Sequence, residues 1–324
     1  MGNYGHRNSQ PSSRIPNLHT APPLFPGEEK NHDASRWGDR LKKRLMLAIA
    51  AIFSGGYALW EPRLLDVVKV DLSLPGFPKE WNGLRIVQFS DVHLGFHTHL
   101  KQVQKLASAI GELQPDVICF TGDMVEREAA PMRDYISVLG SMQAKYGKFA
   151  VLGNHDYRGK EQNQVAAMLQ EAGFILLCNG HAVLQNGNSR IALVGLDDGL
   201  TGNPDPQKAV QGLDDGIWKL LLMHEPDYAD FAAPLGFGMQ LSGHSHGGQV
   251  RFPLLGAMTT PRGSRKYIKG LYHVGQQRMP VYVNRGFGMT QLPIRFLCRP
   301  ELTVFQLKGM PERTAGSSAS LENI

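Results

Sequence analysis

Residues 84–94 read LRIVQFSDVHL. The run Leu84 to Phe89 carries Ile86, Val87 and Phe89 and no Gly or Pro, which predicts a buried strand, and it stops on Asp91 and His93. The same transition recurs along the chain: VICFTG runs into Asp123, FAVLG into Asn154 and His155, KLLLM into His224, and MQLSG into His244 and His246. Five apolar runs thus end in side chains able to ligate a metal. In α/β sheets, ligands gather beyond the carboxyl ends of strands, so groups distant in sequence can meet there. Alternation along an extended chain predicts Asp91 and His93 on one face, His244 and His246 likewise, and the neighbours Asn154 and His155 pointing apart. Carboxylate, imidazole and amide donors without thiolate suit Mn, Fe, Zn, Ni or Mg rather than copper or an iron–sulfur cluster.

Outward from these blocks, strands are predicted over 84–90, 116–122, 148–153, 191–196, 219–224, 239–243, 281–284 and 303–307. A helix is predicted over 101–113, with Val103, Leu106, Ala107, Ile110 and Leu113 on one face. Strands alternating with helices predict an α/β domain over 64–308 with a layered sheet core, its last hundred residues richer in strand than in helix. Residues 309–324 are a polar tail, expected to be disordered.

The chain has 324 residues, 42% of them hydrophobic and 19% charged, with 36 Gly, 20 Pro and 3 Cys. This excludes collagen, coiled coils, disulfide miniproteins and multi-span membrane proteins. The formal charge of +5 divides unevenly: residues 1–44 hold 8 basic and 4 acidic side chains, leaving 26 against 25 for the rest. The body is nearly neutral, with no basic stripe interleaved with aromatics, so no nucleic-acid partner is implied. Cys119, Cys178 and Cys298 have no CxxC spacing, and Cys119 and Cys178 read as buried small hydrophobes.

Residues 1–40 lack apolar periodicity and read as a disordered arm. Arg40, Lys42, Lys43 and Arg44 then precede an uncharged stretch from Leu45 to Trp60. Sixteen residues give roughly 24 Å of helix against a hydrocarbon core of about 30 Å. Residues 41–62 therefore read as a membrane segment in one of three forms: a helix spanning a thin or compressed bilayer, the apolar part of a signal peptide, or a shallow monotopic helix. A spanning helix behind that basic cluster puts the arm in the cytoplasm and the body on the far side of the inner membrane. A buried helix is disfavoured, because the arm offers it little to pack against.

The ordered series SDVHLG, TGDM, GNHD, LLMHEP and GHSHGG resembles the five signature blocks of the calcineurin-like metallophosphoesterases, in their order, between about Leu84 and Gly248. Further on, GGQVRFPLLGA, YVNRGFGMT and LPIRFLCRPELTVF resemble the tail of a membrane-associated bacterial branch that includes a UDP-diacylglucosamine pyrophosphatase. The resemblance implies a layered α/β/β/α sandwich, here with an N-terminal membrane helix. It also implies two divalent cations, one held by Asp91, His93, Asp123 and His246, the other by Asp123, Asn154, His224 and His244, with the two oxygens of Asp123 suited to the bridge. Two such ions with two carboxylates leave a net +2, reduced to +1 by hydroxide, which favours phosphate. On this reading a hydroxide between the ions attacks phosphorus in line, and His155 gives a proton to the leaving group.

The implied activity is hydrolysis of a phosphodiester or pyrophosphate, on a lipid-linked substrate such as UDP-diacylglucosamine. A phosphomonoesterase of the envelope and a scaffold without turnover are the alternatives. That nucleotide lipid is cytoplasmic, which conflicts with a body outside the membrane unless the helix is monotopic. Asp156 is a candidate to orient His155. Asp198 ends another strand and reads more readily as a turn cap than as a site residue. Arg262, Arg265, Lys266 and Arg285 read as solvated loop charges before phosphate ligands, and His97 and His99 as surface residues.

Overall fold

The computed structural model describes Arg40, residues 43–46 and residues 54–310. The chain divides after Ala50 into two units. Of the first unit, Arg40 and residues 43–46 are described and are helical. The expected arm over 1–40 apart from Arg40, residues 41, 42 and 47–53 of the membrane segment over 41–62, and the tail beyond residue 310 lie outside the described residues. Among those described, no helix is long and apolar enough to cross a membrane.

The second unit is built on two six-stranded sheets. In the first, the spatial order is β1 (Asp66–Leu74), β14 (Glu301–Gly309), β2 (Leu84–Phe89), β3 (Val117–Thr121), β4 (Lys148–Val151) and β5 (Phe174–Leu176). In the second it is β12 (Gly270–Val274), β13 (Met279–Val283), β9 (Met239–Ser242), β8 (Trp218–Leu222), β7 (Ser189–Gly195) and β6 (Gly180–Asn186). A short antiparallel ribbon, β10 (Arg251–Phe252) with β11 (Gly256–Ala257), follows the last of the ligand blocks. The inner strands β2 to β4 and β7 to β9 run parallel. Parallel strands are covered on both faces, which is why VICFT of β3 and KFAV of β4 are buried throughout.

Three apolar clusters separate the layers. Between the sheets, Phe149, Val151 and Phe305 meet Leu193, Leu220 and Leu241. On the outer face of the first sheet, Val103, Leu106 and Ile110 of helix α1 (Leu100–Leu113) pack on Val87 and Phe89 with Leu169 of a later helix (Gln162–Glu171). On the outer face of the second, Ala209, Ala229 and Ala232 cover Val194 and Leu221. The order is thus α/β/β/α, as expected, but without a membrane helix among the described residues. The eight predicted strands are present, most of them shorter at the site end because the backbone leaves extended geometry at or before the last predicted residue. β1, β5, β6, β10, β11 and β12 were not predicted: β1 carries polar residues at alternate positions and lies at a sheet edge. The body also runs past residue 308, since Gly309 N–H donates to Asn82 Oδ1 and Met310 N–H to Leu74 O. Cys119 is buried as expected, but Cys178 is exposed, because it lies in the turn beyond the short edge strand β5.

Residues 54–60 are helical, and where little packing was expected for such a helix, Ala58 is buried and Tyr57 half-buried, the other five being exposed. Ala58 O accepts the N–H of Arg295, and Tyr57 meets Phe296 edge-on at 6.0 Å between centroids. Beyond them, the buried carboxylate of Glu61 takes the N–H groups of Leu297 and Cys298, each at 2.7 Å. The neighbouring loop is organised by Arg295, the largest fully buried side chain among those described. Its guanidinium donates to the carbonyls of Arg285, Gly286, Gly288 and Cys298. That loop in turn holds the site, because Phe287 N–H donates to Ser90 O and Gly288 N–H to Asp91 O.

Substituting Arg295→Ala takes the guanidinium from four carbonyls; Gly286 O keeps the N–H of Glu301, and the other three lose their side-chain donor, each costing about 1 kcal/mol or more. We expect a loss of about 3 kcal/mol or more in denaturant unfolding, and a change below about 1 kcal/mol would show that water replaces the guanidinium.

Candidate metal centre

The five sequence blocks converge where the carboxyl ends of β2, β3 and β4 face those of β8 and β9. A buried tie joins the two sheets just beneath: Gln88 Nε2 donates to Thr121 Oγ1 at 3.0 Å and to Ser242 O at 2.9 Å. The described residues contain three groups whose ligand atoms lie within 4.8 Å of one another: Asp91, His93 and His246; His93, Asp123 and His155; Asp123, His224 and His244. All of these side chains are buried.

Alternation in a strand is not what brings them together. Both strands stop short of the blocks, and Asp91, His93, Asp123, His244 and His246 take left-handed backbone at φ 53°, 51°, 61°, 68° and 49°. Such conformations are uncommon for residues with a Cβ and collect at functional sites. Glycines make room for this packing. A Cβ on Gly122 would strike His224 Nδ1, one on Gly153 would strike Asp123 Oδ1, and one on Gly243 would strike Ser90 and Asp91. The glycines of TGD, GNH and SGH therefore stand where a ligand side chain passes.

His224, His244 and His93 are each oriented by the second nitrogen, whereas His246 Nδ1 faces the Arg295 guanidinium at 3.5 Å. A carbonyl can only accept, so His224 Nδ1, 2.6 Å from Thr121 O, carries the proton and leaves Nε2 facing Asp123 Oδ2 at 3.2 Å. His244 is reversed: Nε2 is bound by Arg262 O at 2.8 Å, leaving Nδ1 inward. His93 Nδ1 lies 2.7 Å from Glu126 Oε2, with Nε2 turned to His246 Nε2 at 2.9 Å and Asp123 Oδ2 at 3.7 Å. Imidazoles held in this way by an outer acceptor are the form in which histidines are presented to a metal. Asn154 Oδ1 is buried without a hydrogen-bond partner among the described residues, and a buried carbonyl oxygen so placed suits a cation. The donor set thus fits divalent metal.

The charges agree. Burial, with His224 beside it, pushes His244 down to about 4, and burial, His93 and Arg295 hold His246 well below the usual imidazole range, so both are neutral donors. Burial opposes charge on Asp123 and His224 alike, but the two outweigh it for each other: the carboxyl falls well below its ordinary range and the imidazole rises well above.

His155 sits on the same wall. Its backbone N–H donates to Asp123 Oδ1 at 2.8 Å, while its Nδ1 is 3.0 Å from Glu126 O and 3.1 Å from Glu126 Oε2. Burial lowers its basicity, yet the charges of Asp123 and Glu126 more than restore it, so its pKa is raised. Glu126 itself, despite burial, is held down to about 2 by His155 and His93. Sequence reading missed this residue; its spacing of three from Asp123 on the same loop was the available signal. Asp156, the candidate for orienting His155, serves the backbone instead. Its carboxylate accepts the N–H groups of Asp123, Val125 and Gly153, stapling the β3 loop to the β4 loop. Asp198 is a turn cap, accepting from Leu200, Thr201 and the Thr201 hydroxyl. Arg285 is bound by Asp66 and Glu301, and Lys266 by Asp230. Arg262 contributes a backbone carbonyl, and Arg265 a backbone N–H to Asp227.

The calcineurin-like phosphoesterase family model matches residues 84–248. The chain is 37% identical over 269 residues to YkuE, a metallophosphoesterase of Bacillus subtilis, covering 81% of this chain and 93% of that one. It is 30% identical over 275 residues to the phosphodiesterase YaeI of Escherichia coli, covering 82% and 98%. It is 28% identical over 324 residues to the UDP-2,3-diacylglucosamine pyrophosphatase LpxG of Chlamydia muridarum, covering 80% and 96%. A match over half of the chain that takes in every block of the buried cluster, with relatives of this extent, places the chain in the calcineurin-like phosphoesterase family as a phosphoester hydrolase.

Proposed function

We propose that the chain is a two-metal phosphodiesterase or pyrophosphatase of a membrane surface, acting on a lipid-linked phosphoester. Asp91, His93, Asp123 and His246 would hold one divalent ion, and Asp123, Asn154, His224 and His244 the other. The observation that carries this is the position of Asp123: one oxygen, Oδ2, faces His93 Nε2 at 3.7 Å and His224 Nε2 at 3.2 Å, so one carboxylate touches both halves of the cluster. The expected bridge through two oxygens is not what supports it, because Oδ1 is occupied by the His155 N–H. Bound divalent ions supply Lewis-acid polarisation of phosphoryl oxygen and acidify water.

The chain's own contribution is positioning and a proton. With Nδ1 tied to Glu126, His155 presents Nε2 to the leaving oxygen, and the charges of Asp123 and Glu126, which raise its pKa, favour a proton there. Glu126 fixes His93 with the same carboxylate, so the ligand and the proton donor share one support. A lipid-linked substrate is supported by two things: the uncharged stretch from Leu45 to Trp60, and the similarity to a pyrophosphatase whose name specifies a diacylglucosamine. The basic cluster before that stretch supports a body outside the cytoplasm.

His155→Ala should keep its metal, by elemental analysis, and lose two or more orders of magnitude in turnover of an activated aryl phosphodiester, about the range of general-acid catalysis; unchanged turnover removes His155 from the mechanism. Gly153→Ala should lose metal as well as activity, because the new methyl occupies the place of Asp123 Oδ1, and full metal content would show that the carboxylate has other room. In spheroplasts, added protease should digest the body, whereas protection would place it in the cytoplasm, where nucleotide lipids are made.

A further inference from the structure

Beside the metal centre lies a cavity of about 560 Å³ to which the reading above gives no role, a size typical of small-ligand sites. It is enclosed by the end of the N-terminal helical stretch, the first turns of α1 and the loop after β13. Its depth is apolar: Pro62, Phe287 and Met289 are buried and Leu65 is half-buried. Its mouth is cationic, with Arg63, Lys101 and Lys105 exposed there and without ion-pair partners among the described residues. Among the described residues, no Asp or Glu lines it. Leu59, 58% exposed, stands on the same rim and belongs to the uncharged stretch from Leu45 to Trp60.

Apolar depth beneath an unpaired cationic mouth selects a molecule that is greasy at one end and anionic at the other. A neutral lipid would leave three cations uncompensated, and a soluble phosphate would leave the apolar depth wet. We propose that this cavity binds one anionic lipid, its acyl chain along Leu65, Phe287 and Met289 and its phosphate head against Arg63, Lys101 and Lys105. The site shares walls with the metal centre. Phe287 and Gly288 are hydrogen-bonded to Ser90 and Asp91, and His97 at the mouth follows His93 by four residues. The proposal rests on the membrane reading given above for the source of the lipid. It does not depend on the metals.

The test uses the full chain in phosphatidylcholine vesicles doped with a diazirine-acyl phosphatidylglycerol, with photolysis and peptide mapping. Adducts are expected on Leu65, Phe287 and Met289, in clear excess over those from the matching phosphatidylcholine probe. Lys101→Glu with Lys105→Glu, both at exposed positions, should cut that capture about tenfold or more, as two charges near an anionic head predict. Met289→Trp should block it by filling the cavity, and the lysine pair keeps the test decisive if that variant does not fold. Equal capture of both probes, or adducts only outside the cavity, overturns the site. Metal-dependent release of the head from captured lipid marks a substrate, and retention marks a resident lipid. Turnover of a soluble aryl phosphodiester by the same preparation tells the two readings apart: turnover without capture removes the lipid site alone, and capture without turnover removes the hydrolytic reading alone.

Discussion

The structure depends on Asp123 being ionised, buried and shared. A carboxylate out of water is costly unless charge and hydrogen bonds surround it, and here His224, His93 and the N–H of His155 do so. Its backbone is no freer, because Asp156 takes its N–H and Asp91 and Val92 are bonded to the loop that carries it. The two sheets can bring their carboxyl ends together only because this seam is compensated. Gln88 and the Arg295 clamp serve the same end from below and from the side.

Much of this was legible from residues alone. An apolar run that ends on a ligand-competent side chain, repeated five times, gave both the inner strands and the membership of the cluster. Extended alternation, the expected cause of convergence, is not the real one. Asp91, His93, His244 and His246 meet through left-handed turns whose neighbouring glycines leave space. The motif glycines carried that information as volume rather than as spacing.

What stayed hidden depends on distant partners. Glu126 looks like one more loop acid until His93 and His155 are seen on either side of it. Arg295 looks like a surface charge until four carbonyls of its own loop close around it. Arg285 could be weighed for phosphate only while Asp66 and Glu301, from β1 and β14, were out of view. A strand such as β1 is invisible for a related reason: an edge strand half in water needs no continuous apolar run.

The joint at Glu61 has a mechanical meaning. Its carboxylate holds Leu297 and Cys298, and the Cys298 thiol donates to the carbonyl of His246. The turn that follows the helical stretch 54–60 is therefore two hydrogen bonds from the backbone of a cluster histidine. Movement of residues 54–61 would be felt at the backbone of His246, so this short segment is wired into the ligand cluster rather than appended to it.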